Sequence, residues 1–452
     1  MGASLDPIQA INPLSGPAVS SDPAIGAAAI GIVGGGQLAW MLAQAARLQG
    51  VALHVQTPSP SDPAAALATS LVQAPVRDAA ATRELAARCR AVSFENEWVD
   101  LEGLAPLAAA GVQFVPALEA LQPLVCKRSQ RELLQRLHLP SPRWFPLERV
   151  LEALHQDRHL QAATLTDGTP LEGVVRPGLP LSAPALPPRP RLPEGFQYPV
   201  MAKASSGGYD GRGTAVLRHD DDLEALLARV DPAGWIVEEF VAFEQELAVV
   251  AARDAAGEVV LYPLVQTHQH GQVCDWVLAP VPAPHALQQA VRNIAASLLT
   301  SLGYVGVLAI EFFYGPAGLM VNEIAPRTHN SGHYTIEACS VSQFDQQLRL
   351  VAGADVVEPQ WQVPGALMVN LLGFEQRDAT ALQAYDGQRQ ALQALPNAHL
   401  HWYGKPGSSI GRKLGHVTLL LQASDPEARQ AEAMQRLEEV RRIWPLPPSA
   451  QA

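Results

Sequence analysis

The sequence predicts a mixed chain of α/β and α+β domains, and three observations carry that prediction. The chain opens with a β-α-β unit, its middle alternates short apolar strands with amphipathic helices and a strand hairpin, and a proline-rich stretch interrupts the pattern once. Residues 29–36 (AIGIVGGG) read as a strand running into a glycine turn, 37–48 as a helix that Gly50 stops, and VALHVQT as a second strand. Further short strands at 91–95 and 112–115, with an Ala/Leu-rich helix around 102–110 between them, complete a small parallel-sheet domain over 26–122. The first 25 residues, rich in Ala, Pro and Gly, read as a disordered tail.

An amphipathic helix is expected over 127–138, ended by Pro140 and Pro142. The segment at about 150–196 carries too many prolines for a packed element and reads as a surface insertion. Order returns at YPVMAKASSGGYDGRGTAVL, a strand, a glycine-rich loop and a strand. Helix 221–229 follows, then the strands WIVEEFV, QELAVVAARD and VVLYPLV, helix 284–302, the paired strands VGVLAIEFFY and GLMVNEIAP, and a helix around 342–352. From about 356 a smaller C-terminal segment carries strand ALMVNLLG, a helix near 379–394, a basic glycine loop leading into a strand, and a closing helix over 425–442.

Composition narrows the function classes. A formal charge of −12 argues against nucleic acid or an anionic membrane as partner, since either requires a basic face. No uncharged apolar run reaches the roughly 18 residues needed to cross a bilayer, and no cation precedes Arg47 to form a targeting signal, so a cytoplasmic location is expected. The four cysteines lie far apart and read as free thiols. Only four of the 32 cationic residues are lysine, and Lys127, Lys203, Lys405 and Lys413 all fall in segments with chemical features of their own.

Five constellations carry chemistry. Glu311 and Glu323 fall on the two strands of one hairpin, on a face shared with apolar neighbours; two such carboxylates invite a cation, and magnesium takes one or two of them, with Asn322 alongside. The loop at 203–213 (KASSGGYDGRG) can bring backbone N–H groups over phosphates, with Lys203 to neutralise charge, although it is not a Walker sequence. The strand WIVEEFVAFEQE, with Glu238, Glu239 and Glu246, suits adenine and ribose; a solvated acidic strand end is the plainer reading. Arg327, His329, Asn330, Ser331 and His333 in EIAPRTHNSGHY gather donors for a small oxyanion. The loop YGKPGSSIGRK at 403–413 suits a phosphate monoester.

In this order the segments resemble the 5-(carboxyamino)imidazole ribonucleotide synthases, ATP-grasp enzymes of purine synthesis in bacteria, fungi and plants. The carriers are IGIVGGGQLAWML, FENE, GGYDGRG, NEIAPRTHNSGHYT, SQFDQQLR and HWYGKPGSSIGRKLGH, spread over 30–445. The resemblance implies a three-domain architecture: an N-terminal parallel-sheet α/β domain, a two-lobed ATP-grasp domain over 123–355 and a small C-terminal domain over 356–452, usually paired as a homodimer. It implies ATP contacts from Lys127, Lys203, Gly208, Tyr209, Gly211, Gly213, Thr214, Glu238, Glu239, Val241, Glu246, Gln269 and Asn322, and Mg2+ (or Mn2+) on Glu311 and Glu323. It places 5-aminoimidazole ribonucleotide against Tyr209, Asp210, Arg212, Lys405 and Arg412, with Gln37 and Glu95 lining its pocket, and the bicarbonate-derived group against Arg327, His329 and Asn330. Asp210 and Arg212 share in the catalytic set, and both His329 and Asp210 stand as candidate general bases. Lys127 replaces an arginine usual in the family, and Gln269 a histidine. A different ATP-grasp ligase, such as a formate-dependent glycinamide ribonucleotide transformylase, would share the nucleotide site and differ in the acceptor loops. A catalytically silent nucleotide-binding scaffold would have no use for the acidic pair and the oxyanion donors.

Overall fold

The computed structural model describes residues 28–151, 190–207, 213–378 and 385–448. The expected tail at 1–25, most of the proline-rich insertion, residues 208–212 of the glycine loop, and residues 379–384 of the helix expected near 379–394 lie outside the described residues. The first third contains β1 (Ala29–Val33), α1 (Gln37–Gln49), β2 (Ala52–Thr57), β3 (Ser70–Gln73), α2 (Ala79–Ala86), β4 (Ala91–Phe94), α3 (Leu101–Ala109), α4 (Lys127–Arg136) and β5 (Trp144–Pro146). The middle contains β6 (Val200–Ala204), β7 (Thr214–Leu217), α5 (Asp220–Leu227), β8 (Trp235–Glu239), β9 (Gln245–Arg253), β10 (Val259–Leu261), β11 (Val265–His270), β12 (Val273–Ala279), α6 (His285–Ser301), β13 (Gly306–Gly315) and β14 (Gly318–Ala325). The last third contains α7 (Gln343–Val351), β15 (Gly365–Leu372), α8 (Asp386–Gln393), β16 (Ala398–Trp402), β17 (Lys413–Leu421) and α9 (Pro426–Ile443).

The chain divides into two compact units, one of Met1–Gln122, Glu246–Glu311 and Ile324–Ala452, the other of Pro123–Gln245 and Phe312–Glu323. In the first unit a parallel sheet has the order β3-β2-β1-β4, with β1 flanked on both sides. The order reverses at β1, so the crevice beyond the ends of β1 and β4 is where such sheets receive ligands, and the glycines 34–36 and the FENE segment both fall there. Helix α1 covers this sheet with Met41, Leu42 and Ala46, and α7 joins the same core through Phe344, Leu348 and Val351. The larger sheet runs β14-β13-β9-β11-β12-β15-β17-β16, with β10 beside β9. Its β12 and β15, about 90 residues apart in sequence, pair antiparallel with Trp276 opposite Val369. Strand β15 is buried along its whole length, which accounts for its uninterrupted apolar run.

The structure corrects the sequence reading in particular places. Residues 112–115 make only an isolated bridge, Val92 to Phe114, rather than a strand. The expected strand VVLYPLV is two strands, β10 and β11, because Pro263 has no N–H to continue the ladder. β3, α2 and β5 were not foreseen; β3 and β5 bury one residue each and so lack a readable alternation. Helix α4 stops at Arg136, before its expected end, with His138 in the left-handed region at φ 54. Among the described residues no helix is long and apolar enough to cross a membrane.

The second unit is built on an antiparallel sheet, β5-β8-β6-β7. Phe145, Val200, Ala202, Val237, Leu223 and Leu226 close its core from both the sheet and α5. Register then fixes the polar face: Lys203 lies opposite Ile236 and Met201 opposite Glu238, so Lys203 and Glu238 are diagonal neighbours on one face.

Candidate active site

In the second unit the sheet and α4 bring together a buried charge cluster. Glu238 is 2 % exposed, and its two oxygens are divided between Arg131 Nε at 2.6 Å and Lys203 Nζ at 2.7 Å. Arg131 also donates to the carbonyls of Val321 (3.4 Å) and Asn322 (2.6 Å), and Lys203 donates to Asn322 Oδ1 at 3.2 Å. Lys127, at the first position of α4, pairs with Glu323 at 2.7 Å. Burial alone would raise the Glu238 carboxyl, but Lys203 and Arg131 outweigh it and hold the group down at about 2. Lys203 moves the other way: loss of water lowers its pKa, Glu238 opposes that, and the neighbouring Arg131 and Lys127 add to it. An ammonium so placed lacks hydration and shares its counter-ion, so it gains from an arriving anion.

The remaining expected nucleotide residues are distributed around this cluster or on other strands. Thr214 pairs with Lys203 across β6 and β7, and Gly213 before it takes a φ of 79, which glycine supplies without strain. Glu239 accepts from Arg143 through both N–H and Nε at 2.9 Å. The carboxylates of Glu238 and Glu239, both expected at the adenosine, are thus each engaged by an arginine. Val241 follows β8 and is half-buried. In the first unit Glu246 lies opposite Thr267 on β11, and Gln269 sits at a bulge in the β11–β12 ladder. Gly208, Tyr209, Asp210, Gly211 and Arg212 lie outside the described residues.

The described residues expected on the acceptor side belong to the first unit. Glu95, at the end of β4, accepts from the backbone N–H groups of Gly36 (2.7 Å), Leu38 (3.2 Å) and Ala39 (3.4 Å). It occupies the helix N-terminus that would otherwise attract a phosphate; burial raises its carboxyl, against the pull of those N–H groups and of Arg327. Gly36 is required there, because a Cβ would come within 2.4 Å of Glu95 Oε1. Gln37, the next residue, accepts from Lys405 Nζ at 2.6 Å, and Lys405 also donates to the Lys413 carbonyl. Arg412 donates to the Pro406 carbonyl at 2.7 Å, closing the basic loop.

After β14 the loop spreads its donors unequally. Arg327 pairs with Glu97 of the FENE segment at 2.8 Å. His329 points Nε2 toward Glu311 Oε1 at 3.6 Å and holds Ser331 Oγ on Nδ1 at 3.0 Å. Asn330 turns inward, exchanging two amide hydrogen bonds with Asn370 at 2.9 and 2.7 Å, so it braces the loop from within. Residues that sequence reasoning missed are Arg131, Glu97, Asn370 and Gln343. Arg131 was hidden in an amphipathic helix, where a cation reads as solvated; the resemblance motifs FENE and SQFDQQLR already contained Glu97 and Gln343.

Three domain models match the chain: a ribonucleotide synthetase preATP-grasp domain over 27–124, an ATP-grasp domain over 190–344, and a phosphoribosylaminoimidazole carboxylase C-terminal domain over 366–431. With the charge cluster of the second unit, these define an ATP-grasp ligase. The N5-carboxyaminoimidazole ribonucleotide synthase of Synechococcus elongatus is 46% identical over 421 residues, 93% of this chain and 96% of that protein. The chain belongs to the N5-carboxyaminoimidazole ribonucleotide synthase family. The Aspergillus clavatus synthase complexed with ATP matches with a TM-score of 0.75 at 26% identity, over 93% of this chain and 100% of that one. Its complex with ADP and 5-aminoimidazole ribonucleotide matches with a TM-score of 0.74 at 26% identity, over 92% and 100%.

Proposed function

We propose that this chain uses ATP and bicarbonate to carboxylate the exocyclic amine of 5-aminoimidazole ribonucleotide in purine synthesis, acting as a homodimer in the cytoplasm with the three-domain division set out above. The observation that carries the reading is the cluster of Lys127, Arg131 and Lys203 around Glu238 and Glu323, three cations facing two carboxylates in a largely buried setting. Its net positive charge favours an arriving polyanion such as a triphosphate.

Lys127 and Lys203 neutralise the phosphates, and the loop carrying Gly208, Tyr209, Gly211, Gly213 and Thr214 covers them. Glu239, Val241, Glu246 and Gln269 serve the adenosine, with Glu238 acting through Lys203. Bicarbonate oxygen attacks the γ-phosphorus, the bond to the β-phosphate oxygen breaks, and ADP leaves with the electron pair. The amine nitrogen then attacks the carboxyphosphate carbon and phosphate departs; the amine proton passes to a base, either His329 or Asp210. Arg327 and His329 hold the anionic carboxyl group while Asn330 keeps their loop in place. Lys405 and Arg412 bind the ribonucleotide phosphate, Tyr209, Asp210 and Arg212 its ring and sugar, and Gln37 and Glu95 shape the pocket wall.

Magnesium is the ion proposed for Glu311 and Glu323, with Asn322 beside Glu323. Both carboxylates are part-exposed, with side chains 26% and 40% exposed, and so open to an ion that arrives with the nucleotide. Two carboxylates with phosphate oxygens completing the shell is the arrangement magnesium uses. When bound, the ion screens the phosphates as charge shifts in the transition state. In Glu323→Gln, bicarbonate-dependent ADP release is expected to fall about 100-fold; a rate near wild type removes the assignment. Turnover of formate with glycinamide ribonucleotide, without turnover of bicarbonate and aminoimidazole ribonucleotide, would reassign the acceptor.

A further inference from the structure

Helix α7 turns three glutamines into the first unit: Gln343 and Gln346 are fully buried and Gln347 is 4% exposed. A buried amide is costly unless its donors and acceptor are all used, so the partners of these side chains report what the helix holds. Gln343 Oε1 accepts from the His329 N–H at 2.9 Å, and its Nε2 donates to the His329 carbonyl at 2.7 Å and lies 3.2 Å from His333 Nδ1. One side chain thus fixes both peptide groups of His329.

The surroundings are built to this side chain. A Cβ on Gly332 would approach both Gln343 Oε1 and Val250 Cγ2 to 2.7 Å, so the glutamine and the valine together leave room only for glycine in the NSGH segment. Thr335 Oγ1 accepts from the Gln343 N–H at 3.0 Å and donates to the Gly332 carbonyl at 2.6 Å, closing a ring of bonds around the loop. One helical turn on, Gln347 accepts from the Val307 N–H of β13 at 2.7 Å and donates to Ser93 Oγ of β4 at 2.9 Å. The same face of α7 therefore fixes the loop that bears His329 and the strand that bears Glu311, whose side chains meet at 3.6 Å.

We propose that Gln343 is a positioning residue for the carboxylation step, aiming the His329 imidazole by gripping its main chain; this rests on the reading of His329 as an acceptor-site residue. A matched control lies on the same helix. Gln346 is equally buried and makes a similar two-bond grip, on Val357 at 3.0 and 3.2 Å, remote in sequence from the proposed site residues.

The experiment compares Gln343→Met, Gln346→Met, His329→Ala and the double variant His329→Ala with Gln343→Met. Melting temperature is measured with kcat and KM for ATP under saturating bicarbonate and aminoimidazole ribonucleotide. Both glutamine variants are expected to melt lower by similar amounts. Only Gln343→Met is expected to lose kcat, by about 10- to 100-fold, with KM for ATP within about twofold. The double variant is expected to be no slower than His329→Ala, because the two residues act as one unit. Should Gln343→Met not fold, Gln343→Glu, which keeps the acceptor and loses the donor, is read in the same way. Wild-type kcat in the Gln343 variant, equal kcat losses in both glutamine variants, or multiplicative losses in the double variant would overturn the inference. Wild-type kcat in His329→Ala would remove the reading of His329 itself, and the inference with it; a slow His329→Ala beside a normal Gln343→Met removes the inference alone.

Discussion

At the scale of single residues, the decisive feature of the second unit's charge cluster is that Glu238 serves two cations. If Arg131 is replaced by Met, Glu238 is left to Lys203 alone, and the ammonium is drawn more tightly to its own counter-ion. KM for ATP is then expected to rise about tenfold, with stability lower by ~3 kcal/mol from the broken buried pair. Adding Glu238→Gln to Arg131→Met releases Lys203 and should recover part of the ATP affinity. No recovery would mean that Arg131 matters only through the carbonyls of Val321 and Asn322. The same pair predicts a pH dependence. Because the folded-state pKa of Glu238 is lowered from 4.5 to about 2, its contribution is fully present above 4.5 and is lost as pH falls toward 2. Urea denaturation between pH 5 and 2.5 should show a decline of roughly 2 kcal/mol from this group, and in Glu238→Gln that part of the slope should vanish. None of this was legible beforehand: Glu238 was placed on the correct strand, but which cation would claim an acid on a strand end depends on α4 folding back over it.

At the scale of elements, α1 shows how a helix acquires a cap from far away. Its own N-cap, Gly36, makes no side-chain hydrogen bond, and its first turn contains no acid. Glu95, 59 residues later than Gly36, accepts from three of its orphan N–H groups. Glu95→Ala is expected to lower stability by ~2 kcal/mol, read from thermal melts, and to weaken aminoimidazole ribonucleotide binding severalfold, because Gln37, proposed to shape that pocket, stands on the same turn. Glu95→Gln should recover little, since its NH2 would face backbone donors. A melt unchanged in Glu95→Ala would show that water replaces the carboxylate without loss. Periodicity located α1, β1, β2 and β4 because each has enough buried positions to repeat; four-residue β3, with one buried side chain, does not. The glutamine face of α7 was visible as the motif SQFDQQLR, but its meaning was not, because polar residues at core spacing read as exposed until their partners are known.

At the scale of the whole molecule, the sequence located strands far better than their neighbours. β12 beside β15 and β15 beside β17 are non-local pairings that no window of sequence contains, whereas the parallel order of β1, β2 and β4 follows from short crossovers. Charge behaves similarly: the formal −12 is a property of the whole chain, while two of its four lysines, Lys127 and Lys203, meet carboxylates in the second unit. A ligand that binds only the folded chain raises its stability by mass action, by about 2.7 kcal/mol at a hundredfold excess over Kd. ATP with magnesium is therefore expected to raise the melting temperature, and EDTA to abolish most of that rise together with ADP formation, because on the proposed reading the triphosphate then arrives without the ion that screens it. EDTA without ATP is expected to leave the melt unchanged, since two carboxylates and an amide give magnesium too few ligands until phosphate oxygens arrive. A melt that drops on EDTA alone would reveal a resident metal instead, and would separate the ion's role from that of the nucleotide.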